Sequence, residues 1–187
     1  FLTVDDDISI VNLLDFYLIL KRYFESSNSF EFACATVVFE DTKKFFSRDA
    51  RIRLRKKTKP FVMNFKDHNL VLGSACIFRR DVLLKGLRFD TKLGLGAKFG
   101  GSEETDIFFC ALEKNYTCTY FPNLFIYHPE IKNRQYGFSK MLSYGLGRGF
   151  TYKKHFHNNR IYFLKSIVVQ IFRNFCATCY AFITFNK

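Results

Sequence analysis

Apolar residues follow two spacings along this chain, one typical of buried strands and one typical of helices with a single apolar face. Unbroken apolar runs predict strands, and apolar positions three or four residues apart predict helices. The predicted strands lie at residues 1–4, 31–39, 69–78 and on both sides of Pro122 within 118–127, and the predicted helices at 8–24, 80–86 (helix or turn) and 104–115. This alternation predicts an α/β fold with an open mixed sheet flanked by helices. Open sheets of this kind bind ligands beyond the carboxyl ends of their strands.

The last third of the chain has a different character. Residues 135–156 are basic, aromatic and rich in Gly, whereas 161–185 are strongly apolar but interrupted by Lys165, Gln170 and Arg173. No stretch reaches about 18 uncharged apolar residues, so we predict no membrane-spanning helix. An amphipathic helix at a membrane surface, or a helix leading to a membrane segment, stays open. We therefore divide the chain into an α/β region, 1–130, and a basic, aromatic helical tail, 131–187.

The net charge of the chain limits the classes of partner that it could bind. The formal net charge is +12, and Lys43–Lys66 holds ten Lys or Arg against one acid, Asp49. Such a block suits a nucleic acid, an anionic membrane or a phosphorylated ligand, or it is simply a solvated loop. Because none of the recognised nucleic-acid motifs is present, we predict no specific nucleic-acid partner. Six Cys scattered through apolar segments predict buried free thiols and a reducing, cytoplasmic location.

Two acidic clusters carry the candidate chemistry. Asp5-Asp6-Asp7 follows a short apolar run, so Asp5 and Asp7 emerge on the same side, and their hard oxygens suit Mg²⁺ or Mn²⁺. A helix cap alone needs only one Asp. The second cluster, Glu103-Glu104-Thr105-Asp106, ends a Gly-rich run at a predicted helix start, where acids are also favoured by the unpaired N–H groups. Together the clusters predict a metal site with a general base.

Four segments, in order along residues 1 to about 128, resemble the family 2 glycosyltransferases, which have the GT-A fold. The segment FLTVDDD at 1–7 resembles the family's DxD segment, and GSACIFRR at 73–80 with GLRFD at 86–90 is similar to its later strand and following signature. EETD at 103–106 stands where the family usually has Glu-Asp-x-Asp. Phe121-Pro122 and Tyr127-His128 resemble the closing element. The tail resembles the family's membrane-proximal helices only loosely.

The resemblance implies transfer of a sugar from a nucleotide-diphosphate donor to a hydroxyl of a glycan, a lipid-linked or another acceptor, usually with inversion, as in polysaccharide biosynthesis. By position, Asp5 and Asp7 would hold Mn²⁺ or Mg²⁺ on the diphosphate, with Asp7 the stronger candidate. Glu104 would take the proton of the acceptor hydroxyl, although the family usually has Asp there. Asp106 remains the second candidate for the base.

Other residues have a functional and a structural interpretation. His128 is a third metal ligand, a phosphate contact or an ordinary residue at a strand end. Glu103 orients the acceptor or caps the helix. Arg79 and Arg80 contact donor phosphate or acceptor, or form salt bridges with Asp81 or Asp90. Arg148 and the basic residues after it cover the diphosphate or contact lipid head groups. The candidate donor or acceptor contacts are Glu103, Arg79, Arg80, Gly101 and Arg148.

Phe1 falls inside a predicted buried strand, so we expect further strands upstream. In the family those strands bind most of the nucleotide, and we therefore expect residues 1–187 to bind a nucleotide sugar weakly. We expect a cytoplasmic enzyme at the inner face of a membrane, with the tail in peripheral contact. The competing predictions are a non-catalytic module with a GT-A-like fold, and a basic module that binds anionic membranes or nucleic acid.

Overall fold

The protein has two compact units, Phe1–Thr151 and Tyr152–Lys187. The structure, a computed structural model, describes all residues except 4, 6, 11, 27–28, 47–50, 53, 55–57, 130–137 and 186–187, and also leaves out the side chains of 138, 173–174 and 177–185. Much of the basic block at Lys43–Lys66 therefore lies outside the described residues. The division between the units falls inside a helix, whereas the change in composition predicted it at residue 130.

The α/β class is confirmed. A mixed, open sheet of four strands forms in the described residues, in the order β2-β4-β1-β3. The strand β1 runs parallel to β4 and antiparallel to β3, and β2 is antiparallel to β4. The strands are β1 Phe32–Phe39, β2 Phe61–Val62, β3 Cys76–Phe78 and β4 Cys118–His128, and the helices are α1 Leu13–Glu25, α2 Arg80–Leu84, α3 Glu103–Glu113, α4 Phe138–His155 and α5 Arg160–Phe185.

The strand β1 lies between β4 and β3 because its sequence, FACATVVF, is apolar on both faces, as a strand covered on both sides requires. Phe32 is fully buried and contacts the rings of Phe78 and Phe108 at centroid distances of 5.1 Å and 5.7 Å. Ring pairs at these distances stabilise the fold by more than the burial of their surface alone contributes. Part of the high Phe content, 25 residues, therefore fills the core around the sheet, with Phe30, Phe32 and Phe121 among the fully buried side chains.

The predicted strand at 69–78 is largely replaced by turns. Only Cys76–Phe78 pairs as a strand, and a 3₁₀ helix covers Phe65–Leu70. Asn64 and Asp67 form a capping box at the start of that helix, so local side-chain hydrogen bonds satisfy backbone groups that a strand would need for pairing. No atom lies within 4 Å of a Cβ built on Gly73, so among the described residues no neighbouring atom requires Gly at this position.

The strand β4 is continuous through Pro122, where two short strands were predicted. The register against β1 shifts between Ala35, opposite Phe121, and Thr36, opposite Phe125. This bulge accommodates Pro122, which has no N–H to pair. The Thr36 hydroxyl is 3.1 Å from the carbonyl oxygen of Pro122. The bulge thus lets one strand run from the middle of the sheet to His128.

The tail is helical, as predicted. Gly145, Gly147 and Gly149 lie inside α4, and α5 covers the apolar stretch that follows. No helix in the described part of the chain is long and apolar enough to cross a membrane. Cys34, Cys76 and Cys118 are buried free thiols, as predicted, whereas Cys110 is half-buried and Cys176 is exposed.

Candidate functional site

The segment carrying Asp5 and Asp7 is held at both ends. On one side Leu2 makes a single bridge to Ile77 of β3, in place of the strand predicted at 1–4. On the other side Ser9 exchanges two backbone hydrogen bonds of 2.8 Å with Tyr127 near the end of β4. Because Ser9 belongs to this pairing, the first helix begins at Leu13 instead of residue 8. The two aspartates therefore lie near the carboxyl end of β4.

The three predicted metal ligands lie together at this end of the sheet. One ligand atom each from Asp5, Asp7 and His128 lies within 4.8 Å of the other two. The closest measured pair is His128 Nε2 and Asp7 Oδ1, 3.6 Å apart. Both carboxylates are exposed, whereas His128 is buried with its ring against that of Phe46, at a centroid distance of 5.0 Å. A rigid imidazole and two accessible carboxylates form the group.

The hydrogen bond of His128 orients its free nitrogen toward the acids. Its Nδ1 lies 2.7 Å from the carbonyl oxygen of Pro129, which can only accept, so Nδ1 carries the proton. In the neutral ring, Nε2 then presents a lone pair to the carboxylate of Asp7. Two acceptors at this distance require a proton or a cation between them. Two carboxylates and one imidazole fit a divalent ion, and the nitrogen favours Mn²⁺ over Mg²⁺, which prefers oxygen ligands.

The second acidic cluster begins α3 after a compact glycine loop. The Gly94 N–H donates to the carbonyl of Gly100 at 2.7 Å, and both residues have positive φ. The loop ends at Ser102, which also has a positive φ of 85° and makes no side-chain capping bond. The carboxylate of Glu104 instead accepts its own backbone N–H. The described residues show no side-chain capping bond from Glu103 at the start of α3.

The setting of Glu104 raises its pKa to about 7. Burial is the main cause, and the negative charges of Glu103 and Asp5 add to it, while its backbone hydrogen bond and Arg148 act in the opposite direction. The side chain is half-buried, so it keeps some access to solvent. Asp5 makes the smallest of these contributions, so the two acidic clusters, about a hundred residues apart in sequence, lie within electrostatic range of each other.

A close contact between two glycines brings Arg148 to this site. A Cβ on Gly147 of α4 would overlap the carbonyl oxygen of Gly101, and a Cβ on Gly101 would lie 2.6 Å from the ring of Tyr144. Both positions therefore need Gly for this part of α4 to lie on the loop before α3. Gly101 is buried in this contact, so the structure shows a packing role for it.

Asp106 is not placed to act as the base. It is completely buried, whereas Glu104 keeps exposed surface. Residues two positions apart on a helix point to different sides, so the two carboxylates do not share a face of α3. Glu104 is therefore the better of the two predicted bases.

The two arginines after β3 do not join the site. Arg79 donates from Nε to Asp81 at 2.6 Å, and its Nη2 lies 3.1 Å from Glu31 Oε1. These contacts hold the pKa of the Asp81 carboxyl well below its usual range. The salt-bridge interpretation of Arg79 is thus correct, with Asp81 and not Asp90 as the partner. Arg80 is exposed at the start of α2.

Glu103 has a buried oxygen whose hydrogen bonding is incomplete. Its Oε2 is inaccessible to solvent and has no hydrogen-bond partner among the described residues. Its Cδ lies 3.9 Å from the Cβ position of Gly94, under the glycine loop. A buried carboxylate oxygen without a donor is unfavourable, so this atom lowers the stability of the fold at the start of α3.

The candidate site lies apart from a cavity of about 400 Å³. That cavity is lined by residues near the opposite end of β4, among them Tyr23, Phe61 and Thr119, and by none of the predicted site residues. No protein-family model, curated protein or solved structure matches this chain. Function is therefore inferred from the residues of the site.

Proposed function

We propose that this chain belongs to a metal-dependent glycosyltransferase of the GT-A type, which transfers a sugar from a nucleotide-diphosphate donor to an acceptor hydroxyl with inversion. One observation carries the proposal: Glu104 has a pKa of about 7 and is coupled electrostatically to Asp5 of the metal-binding group. A general base works best when its pKa is near the working pH. A diphosphate-bearing donor needs positive charge close by, which the metal ligands would recruit.

Glu104 is the proposed base of the transfer step. As the acceptor oxygen forms its bond to the anomeric carbon, the bond from that carbon to the diphosphate oxygen breaks, and the hydroxyl proton passes to Glu104. Glu103, directly before Glu104 on α3, would orient the acceptor. Asp5, Asp7 and His128 would hold the metal, which would supply positive charge to offset the charge developing on the leaving nucleoside diphosphate.

The position of the site supports the same proposal. Asp7 and His128 lie at the carboxyl end of β4, which runs parallel to β1 in an open mixed sheet. Open α/β sheets bind their ligands beyond such strand ends. The GT-A likeness of the sheet remains part of the proposal and follows from the motif resemblance.

Release of nucleoside diphosphate tests the proposal. The chain is incubated with a panel of nucleotide-diphosphate sugars at high concentration, with Mn²⁺ or with a chelator, and release is measured with and without simple glycan acceptors. We expect release that depends on the metal, and a rate about 10²–10⁴-fold lower in Glu104→Gln. Glu113→Gln, at the other end of α3, is the matched control.

The outcomes separate the competing functions. An unchanged rate in Glu104→Gln would remove Glu104 from the mechanism. Binding of Mn²⁺ without turnover of any donor would instead favour the non-catalytic module, which the Glu in place of the family's usual Asp also supports. A chain that binds no Mn²⁺ would contradict the metal assignment.

A further inference from the structure

The helix α5 exposes a continuous apolar stripe. With about 3.6 residues per turn, six of its exposed apolar residues fall on one side of the helix. Each is at least half exposed: Ile161, Leu164, Val168, Ile171, Phe172 and Phe175. From another side of α5, Phe163 is fully buried and contacts Tyr152 at a centroid distance of 5.2 Å. The unit thus buries one side of α5 and leaves the apolar stripe uncovered in the described residues.

Positive charge borders this stripe. Arg160 and Lys165, both exposed, lie at its two edges when the helix is viewed end-on. Lys153 and Lys154 are exposed at the end of α4, directly before α5. Residues 152–187 contain six Lys or Arg and no Asp or Glu. An apolar stripe flanked by bases, without any acid, is the pattern of helices that bind anionic lipid surfaces.

We propose that residues 152–187 bind the surface of an anionic lipid bilayer. The helix α5 lies in the plane of the interface, with its apolar stripe among the upper acyl chains and its bases at the lipid phosphates. The inference concerns this unit alone and does not depend on the proposed transferase activity. It also fits the absence of a membrane-crossing helix from the described residues, because a helix lying in the surface does not span it.

Charge also argues against a second copy of the chain as the occupant. Each copy carries a formal net charge of +12, and pairing two stripes would bring their bordering bases together. A bilayer with negative head groups offers both an apolar interior and the opposite charge. The charge pattern therefore selects the lipid surface.

Vesicle flotation of the purified chain tests the proposal. The vesicles contain phosphatidylcholine alone, or phosphatidylcholine with about 30% phosphatidylglycerol. We expect binding to the anionic vesicles only, weakening as salt rises from about 0.1 M to about 0.5 M. Val168→Asp places a charge in the stripe, and Ser166→Asp places the same charge on the other side of α5. Because the charge change is equal, a loss at least about tenfold greater in Val168→Asp reports the stripe itself.

Three results would overturn the proposal: equal binding to both vesicle types, no binding to either type, or equal losses of binding in the two variants. Sedimentation of the free chain identifies the alternative occupant: self-association that Val168→Asp abolishes, without vesicle binding, would show that a second copy covers the stripe. Circular dichroism checks that both variants keep their helices.

Discussion

Replacing Glu104 by Gln should stabilise the fold at neutral and alkaline pH while removing the proposed base. In the folded chain burial, Glu103 and Asp5 raise the pKa of Glu104 from an ordinary 4.5 to about 7. The folded state therefore disfavours the charged form of Glu104, although the proposed base must be charged to accept a proton. Gln keeps the shape of the side chain but has no proton to lose.

The sign and size of the effect follow from the two pKa values. Between about pH 4.5 and pH 7 the folded chain keeps a proton on Glu104 that the unfolded chain has released, so the free energy of unfolding falls as pH rises through this window. Each tenfold difference in acidity corresponds to about 1.4 kcal/mol, so the full loss is at most about 3 kcal/mol. Solvent screening of the half-buried side chain reduces it further.

Urea unfolding at about pH 5 and about pH 8 measures this effect. After allowance for solvent screening, the free energy gained by Glu104→Gln over the wild type should be about 1–2 kcal/mol larger at the higher pH. Comparing variant with wild type at each pH cancels the other titrating groups, and Glu113→Gln gives the background of a Glu-to-Gln exchange on α3. If the gain is the same at both pH values, Glu104 ionises as an ordinary surface acid, and the reasoning for a poised base fails.

Three further outcomes are expected. Gly147→Ala should lower the free energy of unfolding by about 1–3 kcal/mol, because its Cβ would overlap the carbonyl oxygen of Gly101. Gly145→Ala, with open space in the same helix, should raise it by up to about 1 kcal/mol, and equal effects in denaturant would contradict the close approach. Asp7→Asn should weaken Mn²⁺ binding, followed by electron paramagnetic resonance, at least about tenfold. The rate of sugar transfer should rise with pH through about 7, as Glu104 loses its proton, and a flat profile from about pH 6 to 8 would contradict its role as base.

Sequence pattern predicted the fold where one segment determines its own structure. The run FACATVVF is apolar at nearly every position, so β1 had to be a buried strand. The sequence pattern did not predict those segments whose structure depends on contacts with residues elsewhere in the chain. The capping box of Asn64 and Asp67 lies before the apolar run at 69–78 and turns its first part into 3₁₀ helix. The glycines of α4 are poor helix formers, yet the helix includes them because Gly147 must approach Gly101.

For the candidate site too, some features could be predicted from the sequence and others could not. That Asp7 and His128 lie close together was predictable, since one follows the first segment and the other ends a strand of the same sheet. The choice between Glu104 and Asp106 was not, because it depends on which side of α3 faces the interior. Nor could the sequence show that Arg79 pairs with Glu31, nearly fifty residues away.

Three unfavourable features coincide at Ser102–Glu104, at the start of α3. Ser102 adopts a positive φ that residues other than Gly rarely take, Glu103 buries an oxygen without a partner among the described residues, and Glu104 holds a carboxyl with a raised pKa. Each lowers the stability of the fold, by about 1–3 kcal/mol in the case of backbone strain. Such costs gather where side chains are held for binding or proton transfer and not for packing. The residues lining the cavity near Phe61 show none of these features in the described part of the chain. The coincidence of strain, unpaired oxygen and raised pKa is therefore the strongest physical reason to place the chemistry at the start of α3.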